Sequence, residues 1–389
     1  MRTSDTPTPL AGLRVLDLSR VLAGPWATQL WGDLGAEVLK IEHPTRGDDT
    51  RGWGPPWVGD AGPSAYFCAA NRSKASLAVD LKSASGRAVI RDLCRVADVV
   101  VQNFKPGTME RWGLGFDALQ ALNPRIILCS ISAFGLDGPG RDRPGYDALV
   151  QAMGGLMSIT GEPEGKPQKV GLAVVDLMTG MYASNAVLAA LYERERTGVG
   201  RHVDLSLYEV QLAWLANQAT NHLIGGRVPT RQGSAHPNIV PYQPFATVTG
   251  LLMVAVGNDR QFAAFAETLG HAEWATDVRF ATNAARVEHR ACLVDLIQAV
   301  LEHQPSEVWQ ARLERAGVPV GPVRTIAEAF ADPVVTWSGG VVRQDMAAGA
   351  SVTPGVPVRY DGVRIEPGAA PPEIDEGGEE MMAAWLRGT

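Results

Sequence analysis

Short apolar runs alternate with longer amphipathic stretches over residues 13–132, and few folds satisfy such a pattern. Residues 13–18, LRVLDL, read as a buried strand; SRVLAG follows as a loop, and Pro25 opens the apolar-rich helix PWATQLWGDL. Proline suits a first helical turn, where its missing N–H forfeits no hydrogen bond. Gly35 closes that helix, and residues 37–41, EVLKI, form the next strand. The result is one βαβ unit, expected to be parallel and right-handed. The pattern recurs, with 76–81 (SLAVDL) as strand, 83–97 as helix, 98–104 (DVVVQNF) as strand, a helical stretch to Leu122 and 125–132 (RIILCSIS) as strand. Strands spaced by helices of this length specify an α/β doubly wound sheet, whose ligands bind at the carboxyl ends of the strands.

What is missing narrows the ligand. No G-x-G-x-x-G follows the first strand, and GEPEGK at 161–166 has the wrong spacing for a P-loop and lacks the following Ser or Thr. A dinucleotide oxidoreductase is disfavoured. The net charge of −7 argues against a general affinity for nucleic acid or an anionic membrane, so an acidic ligand has to meet a local basic cluster. Cys68, Cys94, Cys129 and Cys292 show no C-x-x-C spacing, and three of them sit in apolar runs. No disulfide or metal site is read from them, and a reducing, cytoplasmic setting is expected. The first ten residues lack the apolar core of a secretory signal, and no uncharged stretch reaches the roughly 18 residues that span a bilayer, so neither export nor membrane insertion is expected.

Further along, 169–176 (KVGLAVVD) leads into a long amphipathic helix over 177–194, with Leu177, Met181, Leu188, Leu191 and Tyr192 on one face. RHVDLSLYEV, 201–210, alternates like a strand, and the helix after it runs out near Gly225. RVPTRQGSAHPNIVP is dense in turn formers and marks a domain boundary. Residues 242–329 carry their own α+β pattern: a hairpin (FATVTG, LLMVAVG), then helices near 261–269, 289–303 and 306–316. From about Phe330 the chain is rich in Pro and Gly until MMAAWL at 381–386, and it is expected to return to the large domain. The division is therefore a large α/β domain over 1–225, a small α+β domain over 226–329 and a returning segment over 330–389.

Asp176 stands out because it ends a run of small and apolar residues and is followed at once by helix. An aspartate there lies at the positive end of a helix macrodipole, which favours its ionised form, and a poorly solvated carboxylate can attack a thioester carbonyl. Taken alone, the spacing fits a helix cap better than a nucleophile, since aspartate is a favoured cap.

Five blocks shift that balance: RVLAGPWATQLWGDLGAEVLKIEHPTRGDDTRGWGPP, NRSKASLAVDLKSASGR, VVQNFKPGTMERWGL, GYDALVQAMGGLMSITG and VGLAVVDLMTGMYASNAVLAALYERERTGVGRHVDLSL. In this order they resemble the family III CoA-transferases, the group that includes formyl-CoA transferase, carnitine CoA-transferase and α-methylacyl-CoA racemase. The likeness runs from Leu10 to about Phe262 and weakens beyond. It implies a Rossmann-like large domain in an interlocked homodimer, no permanently bound cofactor, and CoA or acyl-CoA as substrate together with a small carboxylic acid. Asp176 matches the family's catalytic aspartate, which forms a mixed anhydride and then an enzyme–CoA thioester. Val21, His43, Val79, Lys82, Asn103, Phe104 and Arg111 match CoA-contacting positions. Without the resemblance, Lys82 and Arg111 read as solvated surface charges and Phe104 as a packed strand end. His43 replaces an Arg found in some relatives.

The same likeness bears on the reaction. Tyr146 matches a transferase tyrosine near the acyl group, where racemases of this fold carry a His; a phenol with pKa near 10 is a poor base for α-proton exchange. Residues 231–238, RQGSAHPN, correspond to a glycine-rich loop that closes over the intermediates in formyl-CoA transferase, which makes Gly233, Ser234 and His236 candidates for substrate contact. An interdomain linker is the equal alternative. Leu22 replaces a glutamine that touches oxalate, which argues against formyl-CoA/oxalate exchange. GSAHPNIVPYQPF and VAVGNDRQF resemble instead the subgroup that uses succinyl-CoA and other dicarboxylic acids. The competing readings are an acyl-CoA racemase and a non-catalytic CoA-binding protein of the same fold.

Overall fold

The structure is a computed structural model and describes residues 7–387. Two compact units divide the chain: the first takes the residues up to Leu156, Lys169–Arg227 and those from Pro333 on, and the second takes Met157–Gln168 and Val228–Asp332.

The first unit runs β1 (Arg14–Asp17), α1 (Ala23–Asp33), β2 (Glu37–Glu42), α2 (Ala65–Asn71), β3 (Ala75–Ala78), α3 (Ala84–Cys94) and β4 (Val99–Gln102). It continues with α4 (Thr108–Arg111), α5 (Phe116–Leu122), β5 (Ile127–Ser132), α6 (Asp147–Met153), α7 (Val174–Thr197), β6 (His202–Ser206), α8 (Leu207–Trp214) and α9 (Ala216–Gly225). The six strands are parallel, in the order β3-β2-β1-β4-β5-β6. Successive strand residues point to opposite faces. Leu16, Leu39, Leu77, Val100 and Leu128 accordingly enter one core with Ile90, Leu93 and Leu119, while Val15, Val38, Val99, Val101 and Ile127 enter the other with Ala27, Trp31, Ala183 and Val187. Both faces are covered, which is why the strands read as unbroken apolar runs.

On the second face α1 and α7 lie against each other. A Cβ at Gly180 would sit 2.7 Å from the Ala23 carbonyl oxygen, so glycine permits the close approach. Trp31, fully buried, donates its indole N–H to Ser184 Oγ at 2.9 Å and fixes the crossing.

The first unit's last segment adds α15 (Pro333–Ser338), the antiparallel pair β10 (Val341–Met346) and β11 (Gly349–Pro354), the short pair β12 (Arg359–Tyr360) and β13 (Val363–Arg364), and α16 (Gly378–Arg387). Trp385 of α16 is buried in the first core and donates its indole N–H to the Glu37 carboxylate. Arg72 forks onto buried Asp33 and reaches Thr353 Oγ1 and the Pro354 carbonyl, tying the segment to the end of α1.

The second unit holds a three-stranded antiparallel sheet of β7 (Tyr242–Thr247), β8 (Gly250–Ala255) and β9 (Val320–Pro322). With it go α10 (Asp259–Thr268), α11 (Asn283–Glu288), α12 (Arg290–Leu301), α13 (Ser306–Arg315) and α14 (Ile326–Phe330). Phe245, Phe262, Phe265, Phe280 and Trp309 fill its core. Residues 157–168 join this unit through hydrogen bonds that their own sequence does not announce: Gly233 N–H to the Gly161 carbonyl, and the Arg231 guanidinium to the carbonyls of Glu162 and Gly165.

Several sequence-based elements need correction. The long helix begins at Val174, three residues before the predicted start, because Asp147 from α6 supplies the hydrogen bonds its first turn requires. RHVDLSLYEV is strand only to Ser206, whose hydroxyl accepts the Glu209 N–H and starts α8. Pro25 is the third residue of α1, not the first. The seven-residue helices α2 and α6 were not predicted at all. α7 is also the one helix among the described residues long and apolar enough to cross a bilayer, and it packs instead as the core helix of the second face.

Candidate active site

The strand order reverses between β1 and β4, and in open α/β sheets such a switch point forms the ligand crevice, outside the carboxyl ends of the strands. In the loop that leaves β1, Ser19, Arg20 and Val21 are each held by a side chain. Asp17 accepts the Ser19 N–H and hydroxyl, and Lys40 donates to the Ser19 carbonyl at 3.0 Å. Asn103, just after β4, accepts the Arg20 N–H at 2.9 Å and donates to the Arg20 carbonyl at 2.7 Å. The Val21 N–H points between the two carboxylate oxygens of Asp48, at 3.3 and 3.4 Å.

Buried charge underlies this loop. Lys40 and Asp48 form a fully buried ion pair at 2.9 Å, and Lys74 meets Asp17 at 3.1 Å. Burial opposes the charge on Asp48, but Lys40 and the Thr50 hydrogen bonds outweigh it and hold the carboxyl at about 2. Burial pushes the Lys74 ammonium down to about 8 against the pull of Asp17. Glu42 accepts Arg51 through both oxygens and the Asp48 N–H, closing the network.

The other predicted CoA positions line the same edge of the sheet. His43 follows β2; Val79 follows β3 and donates its N–H to the Glu42 carbonyl; Lys82 is exposed just beyond. Phe104 packs edge-on against Trp112, with the Arg20 guanidinium 5.6 Å from its ring centre. Arg111 is exposed on α4. The space beside Gly107 is bordered by the guanidinium groups of both Arg111 and Arg141, each 3.2 Å from where a Cβ would stand, and Arg111 also donates to Thr108 Oγ1 at 2.8 Å. Two guanidinium groups side by side suit a phosphate. The sequence reading missed Arg141; a GPGRDRPG stretch shows turn residues and charge, not direction.

Asp176 occupies the first turn of α7, one turn before the Gly180 crossing and so beside the start of α1. It caps nothing. The cap position belongs to Ala173, and the N–H groups of Val175 and Asp176 donate to Asp147 Oδ2 at 2.7 and 3.2 Å. Gln151 donates to Asp147 Oδ1 at 2.6 Å and accepts the Val170 N–H, so α6 holds the approach to α7 as well as its first turn. Because Asp147 takes the available N–H groups, the helix end does not favour the ionised form of Asp176, contrary to expectation. Burial, and then the Asp147 charge, push the Asp176 carboxyl up to about 7.

Two phenols border this carboxylate region from different elements. Tyr146, immediately before Asp147, is 71% exposed. Tyr66 of α2, absent from the sequence reading, has its hydroxyl pushed up to about 12 by burial and by the charges of Asp176, Asp147 and Asp48. Trp53 packs edge-on against it.

Gly233, Ser234 and His236 lie in the second unit. Gly233 has φ of +59°, which glycine adopts without strain. His236 donates its N–H to the Tyr242 carbonyl, and Arg290 donates to the carbonyls of His236 and Pro237, so the loop is braced by its own unit.

The chain as a whole is similar to known proteins. The family model for CoA-transferase family III matches residues 10–377. A succinate–glutarate CoA-transferase from Agrobacterium fabrum is 47% identical over 368 residues, covering 91% of each chain. The human succinyl-CoA:glutarate CoA-transferase is 40% identical, over 97% of this chain and 86% of its own. An acetyl-CoA:oxalate CoA-transferase from Acetobacter aceti is 39% identical over 97% of each. A crystal structure of a CAIB/BAIF family protein from Brucella suis superposes with a TM-score of 0.85 at 43% identity, covering 97% of this chain and 100% of that one. With the whole fold and nearly the whole sequence matched, this chain is a CoA-transferase and belongs to CoA-transferase family III.

Proposed function

We propose that the enzyme moves CoA from succinyl-CoA to a small dicarboxylic acid, with Asp176 as the covalent carrier. The single observation that supports this most is the Asp176 carboxyl, brought near neutrality by burial at the α1–α7 crossing beside the carboxyl edge of the sheet. The names of the relatives support the acids: two at 40% identity or more are named for succinate or succinyl-CoA and glutarate.

In the proposed sequence an Asp176 oxygen attacks the succinyl-CoA carbonyl and CoA thiolate leaves, giving a mixed anhydride. The thiolate then attacks the aspartyl carbonyl; succinate departs and Asp176 carries CoA as a thioester. An acceptor carboxylate attacks that thioester and expels thiolate, and the thiolate attacks the acceptor's own acyl carbon, freeing Asp176. No net proton is consumed, and one thioester replaces another. Water has to be kept from both intermediates. CoA would lie along Val21, His43, Val79 to Lys82 and Phe104, with its phosphates toward Arg111 and Arg141; Gly233, Ser234 and His236 would face the acyl group, and Tyr146 would stand where a racemase needs a base.

An interlocked homodimer belongs to the same proposal. The outward residues of α6 to α9 include Leu149, Met153, Trp214, Leu223 and Ile224, the last two 78% and 87% exposed. So much exposed apolar surface on α6 to α9 calls for a partner to cover it.

Mass spectrometry of enzyme incubated with succinyl-CoA and a panel of free acids tests substrate and reaction together. Glutaryl-CoA or another dicarboxylyl-CoA is expected to appear. Oxalyl-CoA as the sole product, or deuterium uptake at the α-carbon of a 2-methylacyl-CoA in heavy water, would overturn the reading.

A further inference from the structure

Val21 is a β-branched residue with φ of +71°, a conformation such residues almost never adopt. It lies in the β1–α1 loop at the switch-point crevice, and the groups on either side of its strain are tied down. Asn103 engages both ends of its amide with the Arg20 backbone, accepting from N–H and donating to C=O, so its side chain is oriented by the loop. Asp48, itself locked by Lys40 and by Thr50, receives the Val21 N–H. Strain of this kind persists only where surrounding structure over-determines it, and it gathers at binding sites.

We infer that Asn103 and Asp48 are positioning residues, a two-sided clamp across the crevice that holds the Val21 backbone in the left-handed conformation in which it receives CoA. This rests on the proposed placement of CoA along that loop. Asn103 then contributes to CoA affinity through Val21 and not by contact.

A double-mutant cycle separates the two roles. Glycine adopts the left-handed conformation without strain, so a loop carrying Val21→Gly has no need of the clamp. Asn103→Ala is expected to weaken CoA binding about tenfold with Val21 present, and by less than about threefold in the Val21→Gly background. The KM for acyl-CoA should rise in the first case while that for the acceptor acid stays. Equal losses in both backgrounds would overturn the clamp and make Asn103 a direct ligand, as would no loss in either. If Asn103→Ala fails to fold, Asn103→Asp, which keeps an acceptor and replaces the donor by a charged oxygen, runs the same cycle. Hydrogen exchange keeps the underlying placement separate: in the wild-type enzyme, CoA should protect the amides of residues 20–24. Absence of that protection would sink the placement of CoA, whereas protection with an additive cycle would sink only the clamp.

Discussion

Asp176 must lose its proton to attack a carbonyl, and its carboxyl is held up to about 7 by burial and by Asp147. Turnover is therefore expected to fall as pH drops below about 7, not near the usual carboxylate value, as a kcat–pH profile will show. The linkage has a matching sign. Between the ordinary aspartate value of 3.8 and about 7 the folded chain binds the proton more tightly than the unfolded chain, so this group's contribution to stability falls as pH rises through that window. Asp147→Asn keeps an acceptor for the Val175 and Asp176 N–H groups but removes the neighbouring charge. The acidic limb should move to lower pH, and an unmoved limb would show that burial alone sets it. Asp176→Asn should lower exchange by at least about a thousandfold in a folded protein, and hydroxylamine should release CoA from the wild-type adduct only. The sequence made Asp176 legible as a residue between apolar run and helix. It hid Asp147, whose partners lie 28 and 29 residues away, and Tyr66, which reaches the site from a helix only seven residues long.

At the scale of elements, the crossing of α1 and α7 decides where the carboxylate stands. Gly180→Val would drive a branched side chain into the Ala23 carbonyl, which glycine alone approaches so closely. Overpacking of this kind costs about 1–3 kcal/mol, visible as a lower denaturation midpoint. Activity should fall further than stability does, because the displaced helix carries Asp176 on its first turn. Much of this layer was readable in advance: β1 to β5 follow from unbroken apolar runs bounded by turn formers. The start of α7 was not, since LAVV suits a strand as well as a helix and only the distant Asp147 settles the matter. LYEVQLAW was lost to the same ambiguity and is resolved by the cap at Ser206.

At the scale of the molecule, the first unit is assembled from three stretches of chain, and its cores depend on the last. Trp385 is buried against the sheet from residues that arrive after the whole second unit. Trp385→Ala should cost about 3–5 kcal/mol, read as loss of the first unit's urea transition at low denaturant while the second unit's transition persists. The second unit resumes at Val228, within the stretch of turn formers that follows Gly225. The transfer of residues 157–168 to the second unit could not be read from the sequence, because it is carried by Arg231 across a gap that no local pattern spans. That order of segments also sets a timetable on the ribosome. Residues 228–332 emerge while the β2–β3 side of the sheet still waits for α16, so the compact second unit can finish folding first. Until residues 378–387 follow, the nascent first core lacks Trp385 and leaves part of its apolar face bare, a stage of synthesis at which aggregation competes with folding.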